Sequence, residues 1–143
     1  MSMDLSISRF WRKKSIIYKL YGAKCKSCGR VHYPPKNACP YCGSRDLELV
    51  ELPKKGKLLS FSTVYAVPDG ARLQSPVYIG FIDLGLTRVV AELTDVVNSN
   101  SLKKDMEVEA VLRKSQEDRD AGLIYYVLKF RPSMGAKIDE RKY

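Results

Sequence analysis

Apolar positions along this chain fall into two regimes. Between residues 4 and 21, Ile7, Phe10, Trp11, Ile17, Tyr18 and Tyr21 recur near helical spacing, Lys14 interrupts the stripe, and Ser6 or Ser8 stands where an N-cap is needed. One helix is predicted there, with Ser15 as the point at which it would break. From residue 47 onward the apolar residues come in short runs punctuated by Pro, Gly, Asn and Asp, the pattern of strands. Strands are predicted at Gly56 to Val67, Val77 to Leu84, Thr87 to Leu93, Met106 to Arg113 and Leu123 to Arg131, with Leu47 to Leu52 as a short linking strand. Period two is clearest in Met106-Glu107-Val108-Glu109-Ala110, where the acids take the outer face and the apolar residues the inner one. A tight turn at Gly85-Leu86 joins two strands, and the chain between Leu93 and Met106 has room for a single helical turn. Five strands in this order, with the insertion between the third and fourth, predict a small closed barrel of the OB type. Pro132 is expected to stop the last strand, since it has no N–H to give to a sheet.

Every cysteine lies between these two regimes. Cys25 and Cys28 form one C-x-x-C pair, and Cys39 and Cys42 form a second after a ten-residue interval. Two intervening residues let a tight turn aim both sulfurs at one point while backbone N–H groups offset their charge. Gly29 and Gly43 follow each pair, and Pro40 sets the entry to the second. Four thiolates close a tetrahedral shell, so the leading reading is a zinc ribbon with one structural zinc per chain. Disulfides fit poorly, because a C-x-x-C pair is a poor structural bridge and no secretory leader is visible. A dithiol redox centre needs one such pair beside a βαβ pattern. Iron is the serious rival, since the knuckles look like those of rubredoxin, which separates them by a longer segment. His32 is a candidate substitute ligand, but four cysteines already complete the shell.

The predicted class is mainly β. Residues 1–24 form an N-terminal helical segment, 25–46 a four-cysteine zinc ribbon, 47–132 a five-stranded OB-fold barrel and 133–143 a flexible tail. A formal charge of +9 is unevenly placed, with Arg9, Arg12, Lys13, Lys14, Lys19, Lys24, Lys26 and Arg30 against Asp4 in the first thirty residues. Such a field attracts nucleic acid, cofactor phosphates or an acidic protein surface; a solvated face is the plain alternative. No apolar run approaches the roughly 20 residues that span a bilayer, so the expected location is the cytoplasm, with no membrane partner. Nucleophile-elbow, dinucleotide and P-loop motifs are missing, and no cysteine is left over as a nucleophile. Asp83, Glu92 and Asp95 read as ordinary solvated carboxylates, so the chain is not expected to be an enzyme. Tyr65, Tyr78, Tyr125 and Tyr126 can stack bases in principle, although alternation sends Tyr125 and Tyr126 to opposite faces.

Helix, ribbon and barrel in this order resemble the DUF35 family from about Phe10 to Pro132. The resemblance is carried by Phe10-Trp11, Cys25-x-x-Cys28-Gly29, Tyr33-Pro34-Pro35, Cys39-Pro40-x-Cys42-Gly43-Ser44, Gly56-Lys57-Leu58, Ser62-Thr63-Val64, Pro76-Val77-Tyr78 and Phe130-x-Pro132. It implies a non-catalytic subunit that docks on or bridges thiolase-type acyl-CoA enzymes, with hydroxymethylglutaryl-CoA synthase as a partner in archaea, and that binds acyl-CoA or CoA. Phe10 and Trp11 are then the expected partner contacts. Arg12, Lys13 and Lys14, the densest basic cluster beside them, are the expected phosphate contacts. Single-stranded nucleic-acid binding and a protein-only scaffold remain as alternatives. One departure stands out: the family pattern has glycine before the fourth barrel strand, where this chain has Asp105.

Overall fold

A computed structural model describes residues 7–67, 75–117 and 122–134. The chain divides into two compact units, Met1–Leu52 and Pro53–Tyr143. In the first, helix α1 spans Ile7–Lys19 without a break at Ser15. Ser8 lies inside it, and Ser6 falls outside the described residues. The helix stops two residues earlier than its apolar spacing suggests, because Leu20 turns into the left-handed region with φ 55°. That conformation costs a residue with a side chain about 1–2 kcal/mol. Leu20 is 2% exposed, and burial of a leucine returns about 1.5–3 kcal/mol, enough to hold the turn. The Leu20 carbonyl also accepts the Leu52 N–H at 2.9 Å. Tyr21, read from its spacing as helical, therefore opens a strand.

That strand, β1 (Tyr21–Cys25), is the centre of a three-stranded antiparallel sheet between β2 (Val31–His32) and β3 (Leu47–Glu51). Leu47–Glu51, expected as a link at the head of the barrel, is thus the third strand of the ribbon's own sheet. Its register runs from Tyr21 opposite Glu51 to Cys25 opposite Leu47. The reason is one of pairing: β2 covers only Ala23 and Lys24 of β1, and without β3 most of that strand would keep an unmatched edge.

The second unit is a closed barrel of β4 (Lys55–Val64), β5 (Val77–Asp83), β6 (Arg88–Leu93), β7 (Glu107–Glu117) and β8 (Ile124–Pro132), in the order β4-β5-β6-β8-β7. The parallel contact of Leu93 with Phe130 closes it, and the Thr94 N–H donates to the Phe130 carbonyl at 2.7 Å. Register shifts after Leu58 in β4 and after Lys114 in β7 bend the two longest strands around the core. Leu58, Ile82, Val89, Leu93, Val108 and Phe130 fill the interior. Gly80 faces them because a β-carbon there would meet Leu58 at 2.8 Å and Leu93 at 3.0 Å. The insertion after β6 is one 3-10 turn, Ser99–Ser101, followed by the buried Leu102.

Two local details depart from expectation. Pairing does not stop at Pro132, which lies opposite Val108, since the Ser133 N–H still donates to the Glu107 carbonyl at 3.0 Å. Asp105 has φ 63°, the left-handed conformation that glycine adopts most easily; aspartate is among the side chains that tolerate it best. The Asp105 N–H and the Met106 carbonyl both bond to Leu58, which fixes the turn to the barrel.

Candidate metal centre and the surfaces beside it

The two C-x-x-C turns have the same hydrogen bonds fourteen residues apart. Gly29 N–H donates to the Cys25 carbonyl and Gly43 N–H to the Cys39 carbonyl, each at 2.9 Å. Cys25 N–H reaches Arg30 at 2.9 Å, and Cys39 N–H reaches Ser44 at 2.8 Å. Both glycines hold left-handed backbone, φ 72° and 75°, which a side chain would resist. Ser27 Oγ donates to Ser44 Oγ at 3.0 Å and Lys26 N–H to the Asp46 carbonyl at 3.1 Å, tying one turn to the other.

These turns bring Cys25, Cys28, Cys39 and Cys42 together, with the four sulfurs within 4.8 Å of one another. Cys25 and Cys42 sulfurs are 3.5 Å apart and Cys28 and Cys39 sulfurs 3.7 Å. A tetrahedron of bonds near 2.3 Å places its sulfurs about 3.8 Å apart, so the group fits one four-coordinate metal ion and leaves it no open position. The Cys28 N–H directed at the Cys25 sulfur holds that thiol down to about 6. Cys39 is shifted down as well: burial opposes the shift, and the N–H groups of Tyr41 and Cys42 outweigh it. Cys42 is drawn down by the Ser44 N–H but pushed up to about 12 by the Cys25 sulfur and by burial. Each backbone donor favours a thiolate, the form that binds metal. His32 stands apart from this group; it is buried, and neither ring nitrogen has a hydrogen-bond partner.

Helix α1 contributes no buried residue. Phe10 meets Tyr18 edge-on at 6.1 Å, and Trp11 is 62% exposed. Lys14, the interruption in the sequence stripe, folds over the aromatics instead of breaking them apart: its Nζ lies 4.6 Å from the Trp11 ring and 5.8 Å from that of Tyr18. Arg12 and Lys13 are exposed beside it.

On the barrel, the carboxylates that read as solvated are engaged. Lys129 Nζ, almost wholly buried, donates to Glu92 at 2.6 Å. Asp95 accepts from Arg113 at 2.8 Å and lies 3.9 Å from Arg131, which donates to Glu109 at 2.8 Å. Glu92, Asp95, Arg113 and Lys129 line a cleft of ≈ 360 Å³ with Pro76 and Tyr78. Lys129 went unremarked in the sequence; its signal was a lone cation within the apolar run from Ile124 to Phe130. Tyr125 is buried and Tyr126 exposed, opposite faces as alternation requires.

A four-thiol ribbon followed by a five-stranded OB barrel defines a class of small two-part proteins. Residues 17–48 match the family model described as the ChsH2 rubredoxin-like zinc ribbon domain, and residues 49–113 match that of the ChsH2 C-terminal OB-fold domain. The chain belongs to the DUF35 family. It is 38% identical to a DUF35 domain-containing scaffold protein of Pyrococcus furiosus, over 92% of this chain and 96% of that one. It is 34% identical to the benzoylsuccinyl-CoA thiolase subunit BbsA of Thauera aromatica, over 78% of this chain and 75% of the relative. Among solved structures, a chain of the Ltp2-ChsH2(DUF35) aldolase superposes with TM-score 0.62 at 27% identity, covering 86% of this chain and 90% of that one.

Proposed function

We propose that this chain is a non-catalytic accessory subunit that docks on, or bridges, thiolase-type acyl-CoA enzymes. The observation that carries this reading is a pair of relatives, one named a scaffold protein and matched over 96% of its length, the other named a thiolase subunit and matched over 75% of its length. The exposed aromatic end of α1 supports it. Trp11 and Phe10 supply an apolar contact of the kind that anchors an interface, and Arg9, Arg12 and Lys13 surround them with positive charge suited to an acidic rim. In this reading the ribbon holds one structural zinc through Cys25, Cys28, Cys39 and Cys42. A closed thiolate shell supplies folding free energy and no catalysis. Such a site calls for a reducing compartment, the cytoplasm.

Acyl-CoA or CoA is the proposed ligand, bound at the shared surface with the enzyme, with Arg12 and Lys13 as the phosphate contacts and Lys14 adding its charge from above the Trp11 ring. In an archaeal host the bridged partner would be hydroxymethylglutaryl-CoA synthase. The test is to co-express the chain with the thiolase of the same organism, purify the complex and titrate CoA and a single-stranded oligonucleotide at two salt concentrations. The reading expects a stable complex, CoA binding that changes little with salt, and weak oligonucleotide binding that moderate salt removes. Tight oligonucleotide binding at physiological salt, with no complex and no CoA binding, would reverse it in favour of a nucleic-acid binder.

A further inference from the structure

One edge of the ribbon sheet is open. β3 pairs with β1 alone, and the bonds at either end of that pairing fix which residues face outward. The Leu52 N–H donates to the Leu20 carbonyl at 2.9 Å and the Lys26 N–H to the Asp46 carbonyl at 3.1 Å. Both continue the register that sets Tyr21 opposite Glu51 and Cys25 opposite Leu47. Bonded and non-bonded pairs alternate along an antiparallel ladder. Gly22 with Val50 and Lys24 with Glu48 are therefore the bonded pairs, and Leu47, Leu49 and Glu51 turn their N–H and C=O groups away from β1. Among the described residues, the outward groups of Leu47 and Leu49 have no partner. The Leu49 side chain is 59% exposed, although it lies opposite the buried Ala23. Open edges are commonly blunted by a proline, a bulge or lysines. Over Leu47–Glu51 the register is unbroken, and neither proline nor lysine occurs.

We propose that this edge takes an extended segment of the thiolase-type enzyme as a fourth strand of the ribbon sheet, with an apolar side chain set beside Leu49. This deepens the accessory-subunit reading and rests on it. Hydrogen-bond complementarity selects the occupant. Donors and acceptors that recur at every second residue along a line are matched by an extended main chain, whereas a helix bonds its own main chain internally. A second copy of this chain owns such a strand too, but charge and area disfavour it. Each copy carries a formal charge of +9, and like-charged copies repel. In the one register that pairs all of Leu47–Glu51 with itself, Leu49 meets Leu49 and the two Glu48 side chains share a face at diagonal positions, within reach of each other. The strand is five residues long, and a stable dimer needs roughly 800 Å² from each partner, more than one such edge supplies. An enzyme that also touches other parts of the chain is not limited in this way.

The test is to measure amide hydrogen exchange in the full chain, alone and bound to the purified thiolase of the same organism. The amides of Leu47 and Leu49 should exchange about tenfold or more slowly in the complex. Leu49→Pro sharpens the test, because that N–H is not bonded to β1, so proline removes a donor to the enzyme and none from the ribbon. Enzyme affinity should fall about tenfold or more, while Gly22 and Lys24, which are bonded to β3, exchange as in the unmodified chain. Where those two amides speed up, β3 has detached, and exchange in the unmodified chain decides the matter alone. Unchanged exchange at Leu47 and Leu49 in a complex that does form, or undiminished binding by a folded Leu49→Pro, would overturn the fourth strand and leave the accessory reading standing. If the unmodified chain fails to bind the enzyme, both fall together. Slowing that appears in the chain alone as its concentration rises would overturn the choice of occupant in favour of a second copy.

Discussion

The two units of this chain are held together by different physics. The barrel buries Leu58, Ile82, Val108 and Phe130 with almost no exposure, enough apolar surface for a core of its own. Large side chains buried as deeply in the first unit are few, Leu20 and Leu52 among them, and their place is taken by four sulfurs converging from two turns. In the barrel, many small contacts each contribute a little and any one can be weakened. In the ribbon the four thiols stand where such a core would be, and an ion held by them would supply folding free energy from a single centre, to be kept or lost as a whole. The difference teaches where each unit is vulnerable.

Metal removal should break the contrast most sharply. Chelation, or Cys39→Ser, withdraws a term of about 10–16 kcal/mol of apparent metal-binding free energy from the ribbon and nothing from the barrel. The expected outcome is loss of the amide dispersion of residues 21–52 with the barrel signals retained, read by heteronuclear NMR; elemental analysis before chelation should find one zinc per chain. Disappearance of the barrel signals in the same sample would show the two units to be one cooperative fold. The converse experiment is Phe130→Ala, which leaves a cavity at the barrel closure and should cost about 3–5 kcal/mol there. Metal content should not change.

Lys129→Ala probes the polar part of the barrel. Leaving Glu92 without its cation costs several kcal/mol when a pair is fully buried; Glu92 is about one third exposed, so solvent screening reduces the expected loss to about 1–3 kcal/mol. Replacing both residues with apolar ones should recover most of it, as urea melts of the single and double variants can establish. His32 sharpens the comparison from the ribbon side. Burial lowers its pKa, with Lys36 adding to the shift, so the unfolded chain binds the proton more readily than the folded one. The neutral ring therefore contributes stability that is complete above the unfolded value near 6.5 and is lost as pH falls through it towards the folded pKa. A ribbon melt at pH 7.5 and 5.5 should drop more for the unmodified chain than for His32→Phe. An equal drop would place the acid sensitivity in the thiols alone. The smallest effect on stability belongs to Trp11→Ala, under about 0.5 kcal/mol for so exposed a residue, although enzyme binding should be lost. A large melting shift with the complex intact would assign Trp11 to internal packing.

Legibility in the sequence followed the range of the interactions involved. The four cysteines were readable because fixed spacing is itself the geometry of the turn. Barrel order was readable from alternation such as Met106 to Ala110, where each residue reports its own face. Leu47–Glu51 was not, because whether it joins the ribbon or the barrel depends on its register with Tyr21–Cys25 and not on its own pattern. The helix end at Leu20 carried no glycine to announce it, and burial of the side chain decided the matter. Glu92 with Lys129, 37 positions apart, illustrates the general case: an acid in a strand reads as solvated until its partner is known.

The matched hydrogen bonding of the two cysteine turns has a consequence for how such chains can vary. Each turn closes on itself, through Gly29 and Cys25 in one and Gly43 and Cys39 in the other, so neither depends on the length of chain between them. Residues 33–38, outside both the strands and the turns, can lengthen while the sulfurs keep their places. Each doubling of such a loop costs only about 0.6 kcal/mol. The interval is a site where lineages can graft new sequence beside an unchanged set of four thiols.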